Sequence, residues 1–182
     1  MADGERPAAA EELPGDPEQD LGDPEGVARA ICLRMLTMRA RSRAELAKAL
    51  AKRDVPDDAA TRVLDRFVEV GLIDDAALAA GLAQAQHHER GLARRAVAAK
   101  LRQRGLDDEV EAALTEINGD DERARAAELV AKRLRSLAGL APEVQARRLV
   151  GLLARKGYSS GLAYAVVREA LAAELALLAE RS

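Results

Sequence analysis

The stretch "AKLRQRGLDDEVEAAL", residues 99–114, has the pattern of a helix end, a stop and the start of a new helix. Its first half is basic, as is common where cations complement the negative end of the helix dipole. Gly105 then suits the left-handed residue that ends many helices. The same order of features returns in "AKRDVPDDAATRVL", residues 51–64, and in "ARKGYSSGLAYAVV", residues 154–167. This recurrence predicts a repeat protein.

Six positions stay apolar in all three copies when 51 and then 52 are added to the numbers of the first copy. The six sets are Val27/Leu78/Val130, Ile31/Leu82/Leu134, Leu46/Val97/Leu149, Leu50/Leu101/Leu153, Val55/Leu106/Tyr158 and Val63/Leu114/Val166. Pairs such as Val27/Ile31 and Leu46/Leu50 are four residues apart, which places both members on one face of a helix. The apolar pattern therefore predicts amphipathic helices in every copy.

The spacing predicts three helices in each repeat and no strand, because no stretch alternates between apolar and polar residues. The predicted helices are 27–39, 43–53, 58–70, 76–89, 93–104, 108–117, 122–137, 143–156 and 160–178. A unit of about 50 residues buries too little surface to be stable alone. We therefore expect an all-α fold, an elongated array of three tandem three-helix repeats. The predicted parts are a tail at 1–25, repeats at 26–74, 75–121 and 122–182, and a C-terminal helix extension in the last.

Capping residues mark several of the predicted helix boundaries. Ser42 is followed three residues later by Glu45, which predicts a capping box, and Pro142 suits the first turn of a helix. Gly105 and Gly157 end second helices, and Asp54 stands at the equivalent place in the first repeat, where it must tolerate the same left-handed backbone. The residues predicted to cap the third helices are Asp57, Asp108 and Ser160.

Charge is distributed unevenly along the chain. Residues 1–25 hold nine acidic residues and one basic residue, Arg6, for a net charge of −8, whereas the remaining 157 residues carry +5. The segment also has four prolines and almost no large apolar residue, so we expect it to be disordered. It is either a solubilising tail or a segment that screens a basic face from wrong partners.

The sequence contains few candidates for a catalytic, nucleotide-binding or metal-binding site. It has no phosphate-binding GxxxxGK[ST] loop, and its two histidines, His87 and His88, are adjacent and read as solvent-exposed residues without metal-ligand spacing. Neither histidine has the context of a catalytic base. The single cysteine, Cys32, lies in an apolar stretch and is expected to be buried and reduced. We expect a non-enzymatic monomer without cofactor or metal. No signal peptide or membrane span is apparent, so we expect it to be cytoplasmic.

Two further motifs are "SRAELAKALAKRDV" at 42–55 and "GLIDD" at 71–75. They resemble the first repeat of the RecX family, bacterial regulators of the RecA recombinase. "RGLARRAVAAKLRQRGLDDEV" at 90–110 resembles its second repeat, and "RRLVGLLARKGYSSGLAYAVV" at 147–167 resembles its third. Asp54 departs from the family pattern, which has glycine there.

The resemblance implies three tandem three-helix repeats that bind RecA and RecA–DNA filaments, along the filament groove. It further implies inhibition of the ATPase, strand-exchange and co-protease activities of RecA, and through them regulation of DNA repair and the SOS response. Weak contact with DNA phosphates is compatible with the same role.

Basic residues are the candidate contacts with such a partner. The set comprises Arg43, Arg94, Arg95, Arg104, Arg147, Arg148, Arg155 and Lys156. Arg104 and Lys156 stand at helix ends, where the dipole alone could explain them. Arginines at the predicted starts of second helices oppose the dipole, and either simple solvation or a partner explains them. The alternative functions are sequence-independent binding of nucleic acid, for which +5 is a modest charge, and a scaffold for another protein.

Overall fold

The computed structural model describes residues 23–180, and over that range it contains nine α-helices and no strand. This confirms the all-α prediction. The helices are α1 Pro24–Met38, α2 Arg43–Ala51, α3 Asp57–Glu69, α4 Asp75–Gln84, α5 Arg94–Gln103, α6 Val110–Ala113, α7 Gly119–Leu134, α8 Pro142–Arg155 and α9 Ser160–Glu180. A π-helical turn, Ala85–Glu89, continues α4, and a 3₁₀ turn, Arg135–Leu137, continues α7.

Each set of three helices surrounds its own apolar cluster, so α1–α3, α4–α6 and α7–α9 form repeats 1, 2 and 3. The equivalent residues Leu50, Leu101 and Leu153 are all fully buried at the centres of these clusters. Hydrogen bonds between side chains and backbone join repeat 1 to repeat 2 and repeat 2 to repeat 3. Among the described residues none joins repeat 1 to repeat 3, so the three repeats form an elongated array.

The first helices of the repeats are in a register that differs from the predicted one. Ala28 and Ala79 are fully buried, and so is Val130, which lies 51 residues after Ala79. The predicted partners of Val130, namely Val27 and Leu78, are only half-buried. The spacing is thus 51 for both steps in the first helices, and the additional residue of repeat 3 falls in the turn and loop after α7.

Most of the predicted helix ends are confirmed, but the caps of the third helices are wrong. Ser42 and Glu45 form the capping box. In α3 the N-cap residue is Pro56 rather than Asp57, and Asp108 lies two residues before the first residue of α6. At the start of α9 the N–H of Leu162 donates to the hydroxyl of Ser159, at 3.3 Å, rather than to that of Ser160. A predicted cap can shift by a residue or two because neighbouring Asp, Ser and Pro residues all suit a helix start.

Helix α6 is much shorter than the predicted 108–117. Asn118 already serves as the N-cap of α7, where its side chain accepts from the N–H groups of Asp120 and Asp121. The carbonyl oxygen of Leu114 accepts from the N–H of Ile117 at 3.0 Å, three residues on, and from the Arg94 side chain at 2.7 Å. The local cap and the Arg94 contact both accompany the early end of this helix.

The prediction that His87 is exposed is wrong. His87 is 1% exposed, and its Nδ1 lies 2.8 Å from the carbonyl oxygen of Leu92, so Nδ1 carries the proton and donates. His87 lies four residues after Ala83 and eight after Ala79, both fully buried, so it continues the buried face of α4 into the π turn. Cys32 is buried as predicted, and this burial raises the pKa of its thiol to about 11.

The predicted acidic tail falls almost entirely outside the described residues. Of its 25 residues, only Asp23, Pro24 and Glu25 are described, and they form the start of α1 rather than the end of a tail. The Asp23 carboxylate accepts from the N–H of Glu25 at 3.0 Å and so caps this helix.

Candidate partner-binding surface

The junction between repeats 1 and 2 is built around Arg104, one of the predicted contact residues. The Ser42 hydroxyl donates to the carbonyl oxygen of Arg104 at 2.5 Å. The Arg104 guanidinium donates to both carboxylate oxygens of Glu45, at 3.1 and 2.6 Å, and to the carbonyl of Ala40 at 3.1 Å. The Arg104 side chain is only 18% exposed, and such a bidentate pair fixes geometry as well as adding energy. Arg104 therefore holds the end of α5 on the start of α2.

The junction between repeats 2 and 3 occupies the same place with other chemistry. The N–H of Ala93, at the start of α5, donates to the carbonyl oxygen of Lys156 at 3.0 Å. The Lys156 ammonium donates to the carbonyl of Arg90, and the buried Tyr158 hydroxyl donates to that of Gly91 at 3.2 Å. Lys156 is the equivalent of Arg104 and likewise joins two repeats.

Glycines lie where the two junctions are closest. A Cβ atom on Gly105 would lie 2.4 Å from the Cβ of Ala44, and one on Gly157 would lie 2.7 Å from the Cβ of Ala96. Both glycines also have positive φ, at 68° and 91°. Asp54 has φ 56° at the equivalent place in repeat 1, but the described chain has no earlier repeat for its side chain to meet. The departure of Asp54 from the family pattern thus has a steric explanation.

The backbone at the starts of α2 and α5 is capped by the following repeat. The N–H of Arg43 donates to the two carboxylate oxygens of Asp75, at 3.0 and 3.2 Å. The N–H of Arg94 donates to Oε1 of Glu122 at 2.8 Å. Each helix start therefore receives a negative charge from its neighbour, which complements the positive end of the dipole.

The side chains of Arg43 and Arg94 turn away from their helix starts toward the third helix of their own repeat. Nη2 of Arg43 lies 2.5 Å from a carboxylate oxygen of Asp65. Nη1 of Arg94 donates to the carbonyls of Leu114 and Ile117, at 2.7 and 3.1 Å. These contacts within the chain explain why arginines stand at the starts of α2 and α5, where the helix dipole disfavours a cation.

Four of the predicted residues are exposed, and their side chains form no hydrogen bond or ion pair with any part of the chain that the structure describes. They are Arg95, Arg147, Arg148 and Arg155. Helix α8 begins at Pro142, so Arg147 and Arg148 lie in its second turn and not, as predicted, at its start. The dipole argument therefore does not apply to repeat 3, and exposure without a partner is what distinguishes these side chains.

A further arginine, Arg102, belongs with this set and was missed by the sequence reasoning. It is exposed, seven residues after Arg95, and both line an open groove of about 360 Å³ beside Gly157. Arg148 and Arg155 repeat the spacing of seven on α8. Seven residues are two helical turns, so each pair lies on one face about 10 Å apart. That spacing was visible in the sequence and could have identified Arg102.

The Glu45 carboxylate should make the first junction sensitive to acid. Burial raises its pKa, but the hydrogen bonds from Arg104 and the Ser42 N–H and the charges of Arg104 and Arg39 lower it more, and the net pKa lies below the usual value. Because the folded pKa is the lower one, the ionised group stabilises the fold above the pKa of the unfolded chain, about 4.3. That contribution is lost as the pH falls through the folded pKa.

We expect Glu45→Gln to lower the free energy of unfolding at pH 7 and to flatten its decline below about pH 4.3. Urea titrations between pH 7 and pH 3 measure both. Asp75, whose pKa is raised mainly by burial and to a lesser extent by the Glu45 charge, contributes the opposite slope, and its contribution becomes slightly smaller in the variant. An identical pH profile for the two proteins would show that the Arg104–Glu45 pair adds nothing to stability.

Other kinds of site find no support in residues 23–180. No cluster of three or more His, Cys, Asp or Glu side chains in this range is arranged to hold a metal ion. None of the described helices has the length and apolarity required to span a bilayer.

Comparison with known proteins identifies the same three units. Family models for the first, second and third three-helix domains of RecX match residues 28–67, 74–114 and 120–167. The chain is 54% identical to regulatory protein RecX of Thermobifida fusca over 148 residues, which cover 81% of this chain and 80% of the relative. It is 48% identical to regulatory protein RecX of Streptomyces coelicolor, covering 88% of this chain and 84% of the relative.

The fold also matches a solved structure. The crystal structure of RecX from Lactobacillus salivarius superimposes with a TM-score of 0.71 at 18% identity, covering 82% of this chain and 97% of that one. At this identity the likeness concerns the architecture, and it confirms the array of three-helix repeats.

Proposed function

The chain belongs to the RecX family, and on that basis we propose that it binds the RecA recombinase and its DNA filament and inhibits them. The inhibited activities are the ATPase, strand exchange and co-protease functions, so the protein restrains DNA repair and the SOS response in the cytoplasm. The observation that carries the proposal is the 54% identity, over most of both chains, to a protein named regulatory protein RecX.

The architecture supports a long partner. Three repeats joined end to end present an extended surface, which suits a polymer better than a small ligand. Inhibition by binding requires neither a catalytic group nor a cofactor, and we propose that one copy of the chain acts alone.

We propose that the exposed arginines form the contact surface. These are Arg95, Arg102, Arg147, Arg148 and Arg155, whose guanidinium groups are available to carboxylates of the recombinase or to DNA phosphates. Arg43, Arg94, Arg104 and Lys156 are already engaged inside the molecule, and a direct contact through them stays a prediction. The bonds of Arg104 and Lys156 join neighbouring repeats, whereas those of the Arg43 and Arg94 side chains lie within their own repeats.

An ATPase titration tests the function. RecA, single-stranded DNA and ATP are mixed with increasing amounts of the protein, and ATP hydrolysis is followed. We expect inhibition at protein concentrations far below that of the DNA binding sites, because each bound molecule affects a filament rather than a single subunit. Inhibition that appears only when the DNA is saturated would indicate the alternative, sequence-independent binding of nucleic acid. Unchanged hydrolysis at all ratios would contradict both.

A further inference from the structure

An apolar groove lies between repeats 1 and 2, away from the exposed arginines. It is open to solvent, has a volume of about 540 Å³ and is lined mostly by leucine, alanine and glycine. Leu36 of α1, Leu72 of the connecting loop and Leu82 of α4 form part of its wall, and Leu72 is 48% exposed. An apolar depression of this kind fits a segment that carries an apolar side chain.

Arg41 gives the groove a positive charge that forms no ion pair with the described residues, whereas the one carboxylate of the lining, Asp74, accepts from the N–H of Ala77 at the start of α4. Arg104 also lines the groove, but its guanidinium is occupied by Glu45. Arg41 is half-buried, its Nε is buried without a hydrogen-bond partner, and its side chain forms no ion pair with the described residues. A partly desolvated guanidinium without an acceptor is costly, so the groove favours a ligand with a carboxylate next to its apolar group.

We propose that the groove is the docking site of the acidic segment at residues 1–22 of the same chain. This segment has seven acidic residues and one basic residue, so its charge is opposite to that of Arg41. Within it, Glu11 and Glu12 directly precede Leu13. The sequence Glu-Glu-Leu places carboxylates beside one large apolar side chain, as the groove requires.

Of the two leucines in the segment, only Leu13 is far enough from α1 in the sequence to reach the groove. Leu36 lies 12 residues into α1 from Pro24, about 18 Å along the helix axis. The ten residues from Leu13 to Gly22 can span up to about 33 Å, which covers that distance with slack. Leu21, the other leucine of the segment, is two residues from Asp23 and reaches only about 7 Å.

Docking of the segment would cover the apolar groove and pair Arg41 until a stronger ligand displaces it. While the segment is bound, weak apolar or acidic ligands could not enter the groove, whichever partner the array binds. Tail docking depends on this chain alone and stands or falls separately from inhibition of the recombinase.

The test is paramagnetic broadening of NMR signals in the full chain. Ala10→Cys places a unique reactive thiol in the segment, because the native Cys32 is fully buried. With a nitroxide on that thiol, we expect the amide signals of Leu78 and Gly81 to lose most of their intensity and those of Gly151 and Gly161 in repeat 3 to keep theirs. Full intensity at Leu78 and Gly81 would overturn the proposal.

Two variants and one control define the contact. Arg41→Gln should restore the signals of Leu78 and Gly81, and so should the combined Glu11→Gln, Glu12→Gln and Leu13→Ser, which lies outside the helical repeats and so avoids disturbing them. Arg34→Gln, an exposed change on α1, should leave the broadening intact. Broadening that survives the combined variant would overturn the proposal. Broadening of an isotope-labelled chain by a separate nitroxide-labelled chain would do so too, since it would identify a second copy as the occupant.

Discussion

Reversing the charge of Arg95, Arg147, Arg148 and Arg155 to glutamate should weaken binding to the recombinase filament about a hundredfold. Exposed ion pairs contribute up to about 1 kcal/mol each, and reversal replaces attraction with repulsion, so four sites together amount to roughly 3 kcal/mol. These side chains form no hydrogen bond or ion pair within residues 23–180, so the fold should retain its helical content. Fluorescence anisotropy of labelled filaments at fixed salt measures the change in affinity.

A matched variant separates surface from net charge. Arg29, Arg34, Lys132 and Arg133 are exposed residues of α1 and α7, and their reversal to glutamate changes the net charge by the same amount. We expect this control to bind within a few-fold of the natural protein, because unspecific charge effects on exposed sites are weak and screened by salt. An equal loss in both variants would remove the α5 and α8 arginines as the contact surface.

Gly105→Ala should cost about 3 kcal/mol of stability and act mainly at the first junction. A left-handed backbone costs a non-glycine residue about 1 kcal/mol, and forcing a methyl group into a packed contact costs a further 1 to 3 kcal/mol. The new Cβ would lie 2.4 Å from the Cβ of Ala44, so one of the two repeats has to move. Urea denaturation gives the loss in free energy, and hydrogen exchange locates it to α2 and α5.

The control for Gly105→Ala is Asp54→Ala, which keeps a side chain on a left-handed backbone that has no earlier repeat against it in the described chain. That change should cost less than about 1 kcal/mol, as surface substitutions do. Ala44→Gly should recover part of the loss when combined with Gly105→Ala, because it removes the opposing methyl group. Strict additivity of the two changes would contradict the steric explanation.

The array could be predicted from the sequence because its cores repeat. Leu50, Leu101 and Leu153 are equivalent in the sequence and equally buried in the structure. Gly105 and Gly157 marked helix ends, although the reason for glycine at these places, the approach of the preceding repeat, became visible only in three dimensions.

The candidate surface was harder to predict because a charge pattern does not show what a side chain meets. Arg104 and Arg95 both read as available cations, yet Arg104 pairs with Glu45, 59 residues away in the chain. No local spacing signals such a contact. His87 was misjudged because the prediction followed the large apolar residues Leu78 and Leu82, whereas the fully buried positions before His87 are the alanines Ala79 and Ala83.

The two joints of the array differ in how they should respond to their surroundings. The first relies on the ion pair between Arg104 and Glu45. At the second, the Lys156 ammonium and the Glu122 carboxylate meet neutral backbone groups, and the Tyr158 hydroxyl, whose pKa burial raises to about 12, bonds the Gly91 carbonyl. Salt screens the attraction between two full charges more strongly than the bond of a charge to a neutral group. Rising ionic strength should therefore loosen the first joint while the second stays firm, so the molecule would flex at one end and remain stiff at the other.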